Sequence, residues 1–354
     1  MVHSRGLVPA NNRSSPLQTG SFDLLTPDAV VAAVEQTHSC RLDGTVTPYP
    51  SYVNRVFGLR SDDGTPLVVK FYRPGRWSWE AILDEHDFIY DCAEDEIPVV
   101  TPIRVSEGDT LFEVTVVSAG VEETYFYALF PKMGGRSFDA ESDEDWYRLG
   151  AIVGRCHLAG RKRQAVFRES CHPVSNTEVY LAELLANDLV HPDCKAAFEM
   201  LCTEMIAFIS PLFDVVAQQR IHGDCHRGNI LHRGDEGLLL YDFDDMVNGP
   251  AVQDIWLLLP DYASNCRREL IMLLDGYQQF SRLEHITLRL IEPLRFMRMV
   301  YFLVWRARQR HDFWFRKNYP DWGNEAFWIK EVEDLRIQQN VIREYLDGPF
   351  DYSL

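Results

Sequence analysis

The stretch "RIHGDCHRGNILHRGDEGLLLYDFDD", residues 220–245, combines apolar runs with an unusual number of polar side chains. The runs at 230–231 and 238–240 are typical of buried strands, yet histidines, aspartates and an asparagine stand beside them. Because a buried polar group without a partner is costly, these groups should gather where the strands end at a cleft. The segment therefore predicts a rigid hairpin with a functional end.

A register symmetric about a turn at residues 234–237 predicts which residues of this hairpin meet. It places residue 231 opposite residue 240 and Asn229 opposite Asp242, and directly opposed residues lie about 4.5–5.5 Å apart. An amide oxygen beside a carboxylate suits Mg²⁺, which takes its other ligands from water and substrate phosphates. The alternative is an ordinary hairpin whose Asn and Asp side chains merely cap turns.

Two further aspartates stand near this end of the hairpin. Asp224 lies on the loop that enters it, and we expect a third acid there that is near the ion without necessarily binding it. Asp244 follows Asp242 closely, and two interpretations stay open: it binds a second metal or a water, or it is a solvated acid of a turn.

Composition and length limit the class of protein. At 354 residues the chain is long for one core, which favours two domains or lobes, and 46% hydrophobic residues suffice for a packed interior. The net charge of −18 repels phosphate backbones, so we expect no nucleic-acid partner. The eight cysteines form no CxxC pair, which argues against a zinc ribbon or a redox motif, and the length of the chain argues against a disulfide scaffold.

The sequence shows no sign of a membrane or secretory segment. Residues 1–21 lack the apolar region of a secretory leader, and the longest apolar run, 299–305, is far shorter than the roughly 20 residues of a membrane span. We therefore expect a soluble, cytoplasmic protein without a membrane partner.

Hydrophobic periodicity divides the chain into a β-rich part and a helical part, an α+β architecture. We expect strands at 52–60, 67–72, 110–117 and 124–130. We expect one helix that starts at Thr26-Pro27 and a second helix at 78–95. Ser142 should open the first of the later helices, which follow at 178–190, 194–217, 254–259, 266–281, 285–309 and 325–346. The predicted divisions are a disordered tail (1–21), an N-terminal nucleotide-binding lobe (22–131), a hinge or linker (132–141), a C-terminal catalytic and acceptor lobe (142–346) and a C-terminal tail (347–354).

In the β-rich part of the chain, a lysine and a glutamate occupy positions where the pattern predicts apolar residues. Lys70 lies in the apolar strand "LVVKFY", and Glu85 lies on the apolar stripe of the following helix. Because a buried acid needs a cation, we expect the two to pair, with Glu80 and Asp84 as weaker candidates. The alternative for Lys70 is a lysine that protects a sheet edge from aggregation.

The spacing His222-x-Asp224-x-x-x-x-Asn229, followed by Asp242-Phe243, resembles the catalytic loop and metal-binding strand of the protein-kinase-like superfamily. "HGDCHRGN" is closer to its aminoglycoside phosphotransferase and choline kinase branch. Stretches from "PSYVNRVFGL" and "FPKMGGRSF" to "DFDDMVNGPAVQDIW" and "IEPLRFMRMVYFLVW" are similar, in order, to the bacterial stress response kinase A family over about residues 22 to 330. The resemblance implies a bilobal kinase fold and a cytoplasmic, monomeric, ATP- and Mg²⁺-dependent serine/threonine protein kinase.

The resemblance also gives roles to residues. Asp224 would accept the proton of the incoming hydroxyl, and Asn229 and Asp242 would hold Mg²⁺ against the phosphates. Lys70 would reach the α- and β-phosphates, with Glu85 as its partner. A serine at the position of Ser51 contacts ATP in that family, so Ser51 would reach a phosphate; the alternative is a plain turn serine.

Two more positions complete this picture. Adenine would be recognised by backbone groups from Phe130 to Met133, just before the Gly-Gly connector. Asp254 would bond the backbone of the catalytic loop, unless it is only a helix N-cap, and we expect His222 to brace the same loop.

Three functions are compatible with these residues. Whole-chain similarity favours a protein kinase. Only 11 residues separate Asp242 from Asp254, which leaves little room for a peptide-binding activation segment and favours a small-molecule hydroxyl kinase. A non-catalytic nucleotide-binding module is the third, and the intact Lys70, Asp224 and Asn229 argue against it.

Overall fold

A computed structural model describes residues 22–51, 53–105, 108–118, 120–311 and 313–348. The tail predicted at 1–21 lies outside the described residues, and so does the one predicted at 347–354, except for residues 347 and 348. The expected architecture is confirmed: a β-rich N-terminal lobe precedes a larger, mainly helical C-terminal lobe.

The N-terminal lobe is built on one antiparallel sheet of five strands in the order β1-β2-β3-β5-β4. The strands are β1 (Leu42–Tyr49), β2 (Arg55–Ser61), β3 (Pro66–Phe71), β4 (Phe112–Ser118) and β5 (Val121–Pro131). The sequence prediction missed β1, which contains Gly44 and Pro48 and is largely exposed. Proline is tolerated there because β1 is an edge strand.

Two helices accompany this sheet, α1 (Pro27–His38) and α2 (Trp79–Glu94). Both begin where a hydroxyl caps the first turn: Thr26 accepts from the amide of Ala29, and Ser78 accepts from the amide of Ala81. The helix α2 buries its apolar stripe, and Glu85 is buried with it.

The C-terminal lobe contains eight α-helices among the described residues: α3 (Asp143–Gly160), α4 (Thr177–Ala186), α5 (Pro192–Phe213), α6 (Val252–Trp256), α7 (Arg267–Gln278), α8 (Ile291–Gln309), α9 (Phe313–Asn318) and α10 (Glu325–Asp347). Ser142 caps α3 as expected. The single helix predicted at 285–309 is wrong: a 3₁₀ helix at His285–Leu290 precedes α8, whose first turn holds Pro293. Proline fits a first turn because its missing N–H would have no partner there.

Glycines allow α3 and α7 to pack at very short range. A Cβ added at Gly150 of α3 would lie 1.9 Å from the carbonyl oxygen of Leu273, and one added at Gly276 of α7 would lie 1.9 Å from that of Tyr147. Backbone atoms of each helix therefore fill the space where a side chain of the other would project, which makes this pair a rigid base for the lobe.

The helix α5 is long and apolar enough, by length and composition alone, to cross a membrane. It packs against α4 and α10, and its residues Phe198, Met205 and Ile209 are buried in the core of the helical lobe. We interpret α5 as a core helix.

The described part of the chain contains five more short strands: β6 (Arg136–Ser137), β7 (Gln219–Ile221), β8 (Ile230–His232), β9 (Leu238–Leu240) and β10 (Val247–Gly249). The predicted register of the β8–β9 hairpin is wrong by one residue, because Leu231 lies opposite Leu239 rather than residue 240. The amide of Arg233 bonds the carbonyl of Gly237, so the turn between them contains residues 234–236 and is one residue shorter than the predicted turn at 234–237.

The changed register moves Asn229 opposite Tyr241, whose amide donates to the Asn229 carbonyl at 3.2 Å. Asp242 is one residue further, in the left-handed region with φ 61°. Asn229 and Asp242 are therefore not directly opposed, but both still line the same cavity.

Candidate active site

One cavity of about 610 Å³ is lined by the N-terminal sheet, α2 and the β8–β9 hairpin. The predicted nucleotide- and metal-binding residues all line it: Ser51, Lys70, Glu85, Phe130, Met133, Asn229 and Asp242. Within the described residues Asp224 is not part of the lining, but it contacts Asn229, whose Nδ2 donates to the Asp224 carbonyl at 2.9 Å. The structure thus gathers the predicted site residues at one place.

The cavity has an apolar part and a charged part. Apolar side chains of both lobes wall the first, among them Val56, Val68, Val100, Leu231 and Phe243. This part suits a flat aromatic ligand, because apolar walls with a few backbone polar groups are typical of such pockets.

The charged part centres on Lys70, which is nearly buried and paired with three carboxylates. Its Nζ lies 3.1 Å from Asp242 Oδ1, 3.2 Å from Asp244 Oδ1 and 3.6 Å from Glu85 Oε1. Lys70 belongs to β3, a central strand, so the edge-lysine alternative is wrong.

Glu85 is the glutamate that pairs with this lysine. Glu80 is exposed, and Asp84 instead accepts a hydrogen bond from the amide of Phe167. Burial raises the pKa of Glu85, but the charges of Lys70 and Arg168 lower it by a larger amount. The net shift of the pKa is downward, so Glu85 is a carboxylate.

Asp244 is buried, which overturns its interpretation as a solvated turn acid. It contacts Lys70 and forms an ion pair with Arg76, whose Nη2 also lies 2.5 Å from Asp245 Oδ1. Arg76 belongs to the loop after β3, so these pairs tie the N-terminal lobe to the loop that follows Asp242.

Asp224 is held in a polar environment beside the cavity. Its Oδ1 accepts from Arg298 Nη2 at 2.5 Å, and its Oδ2 lies 3.5 Å from His226 Nε2. Burial raises the pKa of Asp224, but the hydrogen bond from His226 and the charge of Arg298 outweigh it and bring the pKa to about 2. Asp224 is therefore a carboxylate at neutral pH.

The backbone of the loop that carries Asp224 is fixed by Asp254. The carboxylate of Asp254 accepts from the amides of His222 at 2.7 Å and Gly223 at 2.9 Å, and it contacts His157 Nε2 at 2.9 Å. Asp254 lies within α6, so the N-cap alternative is wrong and the backbone contact is confirmed. His222 braces the same loop through Nε2, which lies 2.9 Å from the Tyr241 carbonyl oxygen.

The turn between β1 and β2 approaches the cavity through Ser51. The Ser51 carbonyl accepts from Arg55, and the buried Asn54 accepts from the amide of Arg73 at 3.1 Å, which anchors the turn to the end of β3. Residue 52 lies outside the described residues.

The donor set at the hairpin end fits a Mg²⁺ ion that is completed by a ligand. Across the described chain, no three His, Cys, Asp or Glu side chains cluster as a metal site. Asn229 and Asp242 supply an amide oxygen and a carboxylate to the cavity, and the Asp242 side chain is 49% exposed. Such a pair suits Mg²⁺ bound mainly through phosphates and water.

Sequence reasoning missed three arginines that contact these acids: Arg76, Arg168 and Arg298. Arg298 could have been noticed, because it interrupts the apolar run of α8. The segment that contains Arg168 has no periodic hydrophobic pattern, so the local sequence does not predict that this arginine is buried.

Comparisons with known proteins identify the family. Residues 45–294 match the phosphotransferase enzyme family, APH. Stress response kinase A of Escherichia coli (strain K12) is 37% identical over 329 residues, which cover 92% of this chain and 95% of that protein. The serine/threonine protein kinase RdoA of Salmonella typhimurium (strain LT2) is 35% identical over 333 residues, with the same coverage.

Solved structures show the same fold at lower identity. Amicoumacin kinase hAmiN, in complex with AMP-PNP, Ca²⁺ and Ami, has a TM-score of 0.68 at 18% identity and covers 92% of this chain and 96% of its own. Spectinomycin phosphotransferase, in complex with ADP and spectinomycin, has a TM-score of 0.60 at 10% identity, covering 92% and 98%. The family match spans well over half of the chain, and the curated relatives span nearly all of it. The chain is therefore a kinase of the phosphotransferase enzyme family and belongs with the stress response kinase A proteins.

Proposed function

We propose that the protein transfers phosphate from ATP, with Mg²⁺, to serine or threonine hydroxyls of proteins. The observation that carries this proposal is the convergence of Lys70, Asn229 and Asp242 on one cavity, with Asp224 attached to it through Asn229. The names of the curated relatives support a stress-response role and a protein acceptor.

The two parts of the cavity bind different parts of ATP. The apolar walls and the backbone from Phe130 to Met133 hold the adenine, while Ser51 and Lys70 bind the phosphates. Mg²⁺, when bound, neutralises charge on the phosphates, and Asn229 and Asp242 are the residues that hold it.

Asp224 acts on the acceptor hydroxyl. A carboxylate with a pKa of about 2 is a weak base, so it orients the hydroxyl by a hydrogen bond and takes the proton late. This agrees with the loose transition state of phosphoryl transfer, in which positioning and charge neutralisation contribute more than early proton removal.

A small-molecule hydroxyl kinase is the second candidate, and one observation favours it. The segment between Asp242 and Asp254 forms a 3₁₀ turn and then β10, which pairs with β7, and most of its residues are at least partly buried. It offers no long activation segment on which a peptide would lie. The solved neighbours named above act on small molecules.

We further propose that the protein works as a cytoplasmic monomer without nucleic acid, since its charge of −18 disfavours polyanions. Light scattering after size exclusion tests the monomer, and a higher mass would contradict it. Fractionation of cells into cytosol and membrane tests the location.

Mass spectrometry after incubation with ATP and Mg²⁺ tests the reaction. Phosphoserine or phosphothreonine on protein supports the first function, and phosphate only on a small acceptor supports the second. Binding of ATP without transfer to any acceptor would indicate a non-catalytic module.

The variant Asp224→Asn tests the role of the acid. We expect it to bind ATP as the wild type does and to lose about 10²- to 10⁴-fold in transfer, the usual contribution of a positioned acid or base. The matched control is Asp235→Asn, which alters an exposed acid of the hairpin turn. Undiminished transfer by Asp224→Asn removes Asp224 from the mechanism.

A further inference from the structure

Arg168 is a fully buried arginine that has no part in the mechanism above. It lies in the irregular segment between α3 and α4, and its side chain has no exposed surface. Its Nη2 donates to Glu85 Oε2 at 2.9 Å, its Nε to the carbonyl of Ala81 at 2.7 Å, and its Nη1 to the carbonyl of Asp244 at 2.7 Å. All three guanidinium nitrogens therefore bond to the framework of the active site.

These contacts join the two halves of the site. Ala81 and Glu85 belong to α2 of the N-terminal lobe, whereas Asp244 belongs to the loop after Asp242. The guanidinium also lies over the ring of Trp77, 4.0 Å from its centre. Because the guanidinium is planar and its donors have fixed directions, one side chain sets the position of α2 relative to that loop.

The pairing of Lys70 with Glu85 depends on this arrangement. Lys70 is closer to Asp242 and Asp244, at 3.1 and 3.2 Å, than to Glu85, at 3.6 Å. Arg168 is the nearer cation for Glu85, at 2.9 Å. Without it the buried Glu85 would share one lysine with two other acids, and an undercompensated buried charge is strongly unfavourable.

We infer that Arg168 is a positioning residue that holds Glu85 and the loop after Asp242 in the arrangement needed for phosphoryl transfer. The inference rests on the proposed function. In protein kinases the corresponding lysine–glutamate pair must be in place, and phosphorylation of an activation loop controls it. Here Glu85 has a second cation besides Lys70, and this cation, Arg168, comes from the C-terminal lobe itself.

Steady-state kinetics of Arg168→Lys, Glu85→Gln and the double variant test the inference. Lysine keeps the charge, but one ammonium cannot replace the three directed donors of the guanidinium. We expect kcat to fall about 10- to 100-fold, since a shift of about 1 Å in an active site costs about 100-fold. The kcat of the double variant should be no lower than that of the worse single variant, because both substitutions break the same contact between Arg168 and Glu85.

A matched control distinguishes positioning from stability. Arg308→Lys disrupts another arginine–glutamate pair, in which Arg308 donates to both oxygens of Glu183 at 2.9 and 2.7 Å, on helices that do not line the cavity. Urea unfolding of each variant gives the free energy of unfolding. If Arg168 only stabilises the fold, Arg168→Lys and Arg308→Lys will show the same decrease in kcat when their free energies of unfolding decrease equally.

Two results would overturn the positioning role: full kcat in folded Arg168→Lys, or a loss equal to that of Arg308→Lys at equal stability. A wild type that binds ATP but phosphorylates no acceptor overturns the proposed function instead. Calorimetry then still tests Arg168, because we expect affinity for ATP with Mg²⁺ to weaken about tenfold in Arg168→Lys and not in Arg308→Lys. Equal affinities would contradict the inference.

Discussion

The ammonium of Lys70 lies 3.1 Å from the carboxylate of Asp242, although the two are 172 positions apart in the sequence. The contact joins β3 of the N-terminal sheet to the end of the β8–β9 hairpin. Burial lowers the pKa of Lys70, but the charges of Glu85 and Asp242 raise it by a larger amount, so the lysine stays charged. A cation of one lobe thus faces the proposed metal ligand of the other across the cavity.

Lys70→Met should reduce kcat/KM for ATP by about 100-fold or more, because it removes a cation from the phosphates and leaves Glu85, Asp242 and Asp244 with fewer partners. Initial rates over a range of ATP concentrations measure this. Lys195→Met is the matched control, since it alters a partly exposed lysine that pairs with an exposed aspartate and does not line the cavity. A Lys70→Met enzyme with wild-type kcat/KM would remove Lys70 from phosphate binding.

Removal of Mg²⁺ with EDTA should abolish transfer, and Asn229→Ala should raise the Mg²⁺ concentration needed for half-maximal activity. Loss of even an outer partner of a metal costs about 10- to 100-fold in affinity, so loss of a ligand should cost at least about tenfold. Asn265→Ala, which alters an exposed asparagine, serves as the comparison. An unchanged Mg²⁺ requirement in Asn229→Ala would place the ion elsewhere.

His86 should make the fold less stable in acid. Burial lowers the pKa of His86 from its usual value of 6.5 to about 4, and the ring nitrogens contact Tyr72 at 3.0 Å and Thr110 at 2.8 Å. Below pH 6.5 the unfolded chain binds a proton that the native protein does not, so this stability is complete above pH 6.5 and is lost as the pH falls towards 4.

The expected loss from His86 between pH 7 and pH 5 is about 2 kcal/mol. Urea unfolding at both pH values measures it, and His86→Gln should show a pH dependence smaller by that amount. His285→Gln, at an exposed position, should keep the wild-type dependence. The same pH dependence in His86→Gln and in wild type would show that another group is responsible.

Gly150→Ala should destabilise the helical lobe by about 1–3 kcal/mol or more, because its Cβ would meet the backbone of α7, which cannot move as a side chain can. Gly134→Ala is the control, since a Cβ there meets nothing within 4 Å. The midpoint of urea unfolding reports the difference. Equal midpoints for the two variants would mean that α3 and α7 separate at little cost.

Local patterns predicted the parts of the molecule that depend on neighbouring residues. The helix starts at Thr26 and Ser142 were recognisable because each capping side chain bonds within its own first turn. Glu85 was recognisable because an acid on an apolar helical stripe must be buried with a cation. The edge strand β1 was missed because its burial pattern lacks the alternation of a half-buried strand.

The hairpin register shows where local reasoning fails. Turn length decides it, and the bond from the Arg233 amide to the Gly237 carbonyl makes the turn one residue shorter than the predicted turn at 234–237. The site tolerates this because Asp242 adopts a left-handed conformation, so its side chain still reaches the cavity that Asn229 lines.

The sequence by itself determined the two-lobe architecture, the hairpin and the residue types at its end, since these follow from spacings of a few residues. Only the tertiary structure decided which cations meet which acids: Arg168 lies 83 residues from Glu85, and Arg298 lies 74 residues from Asp224. Such pairs form because packing brings distant elements together and buried carboxylates must then be neutralised, which no local pattern records.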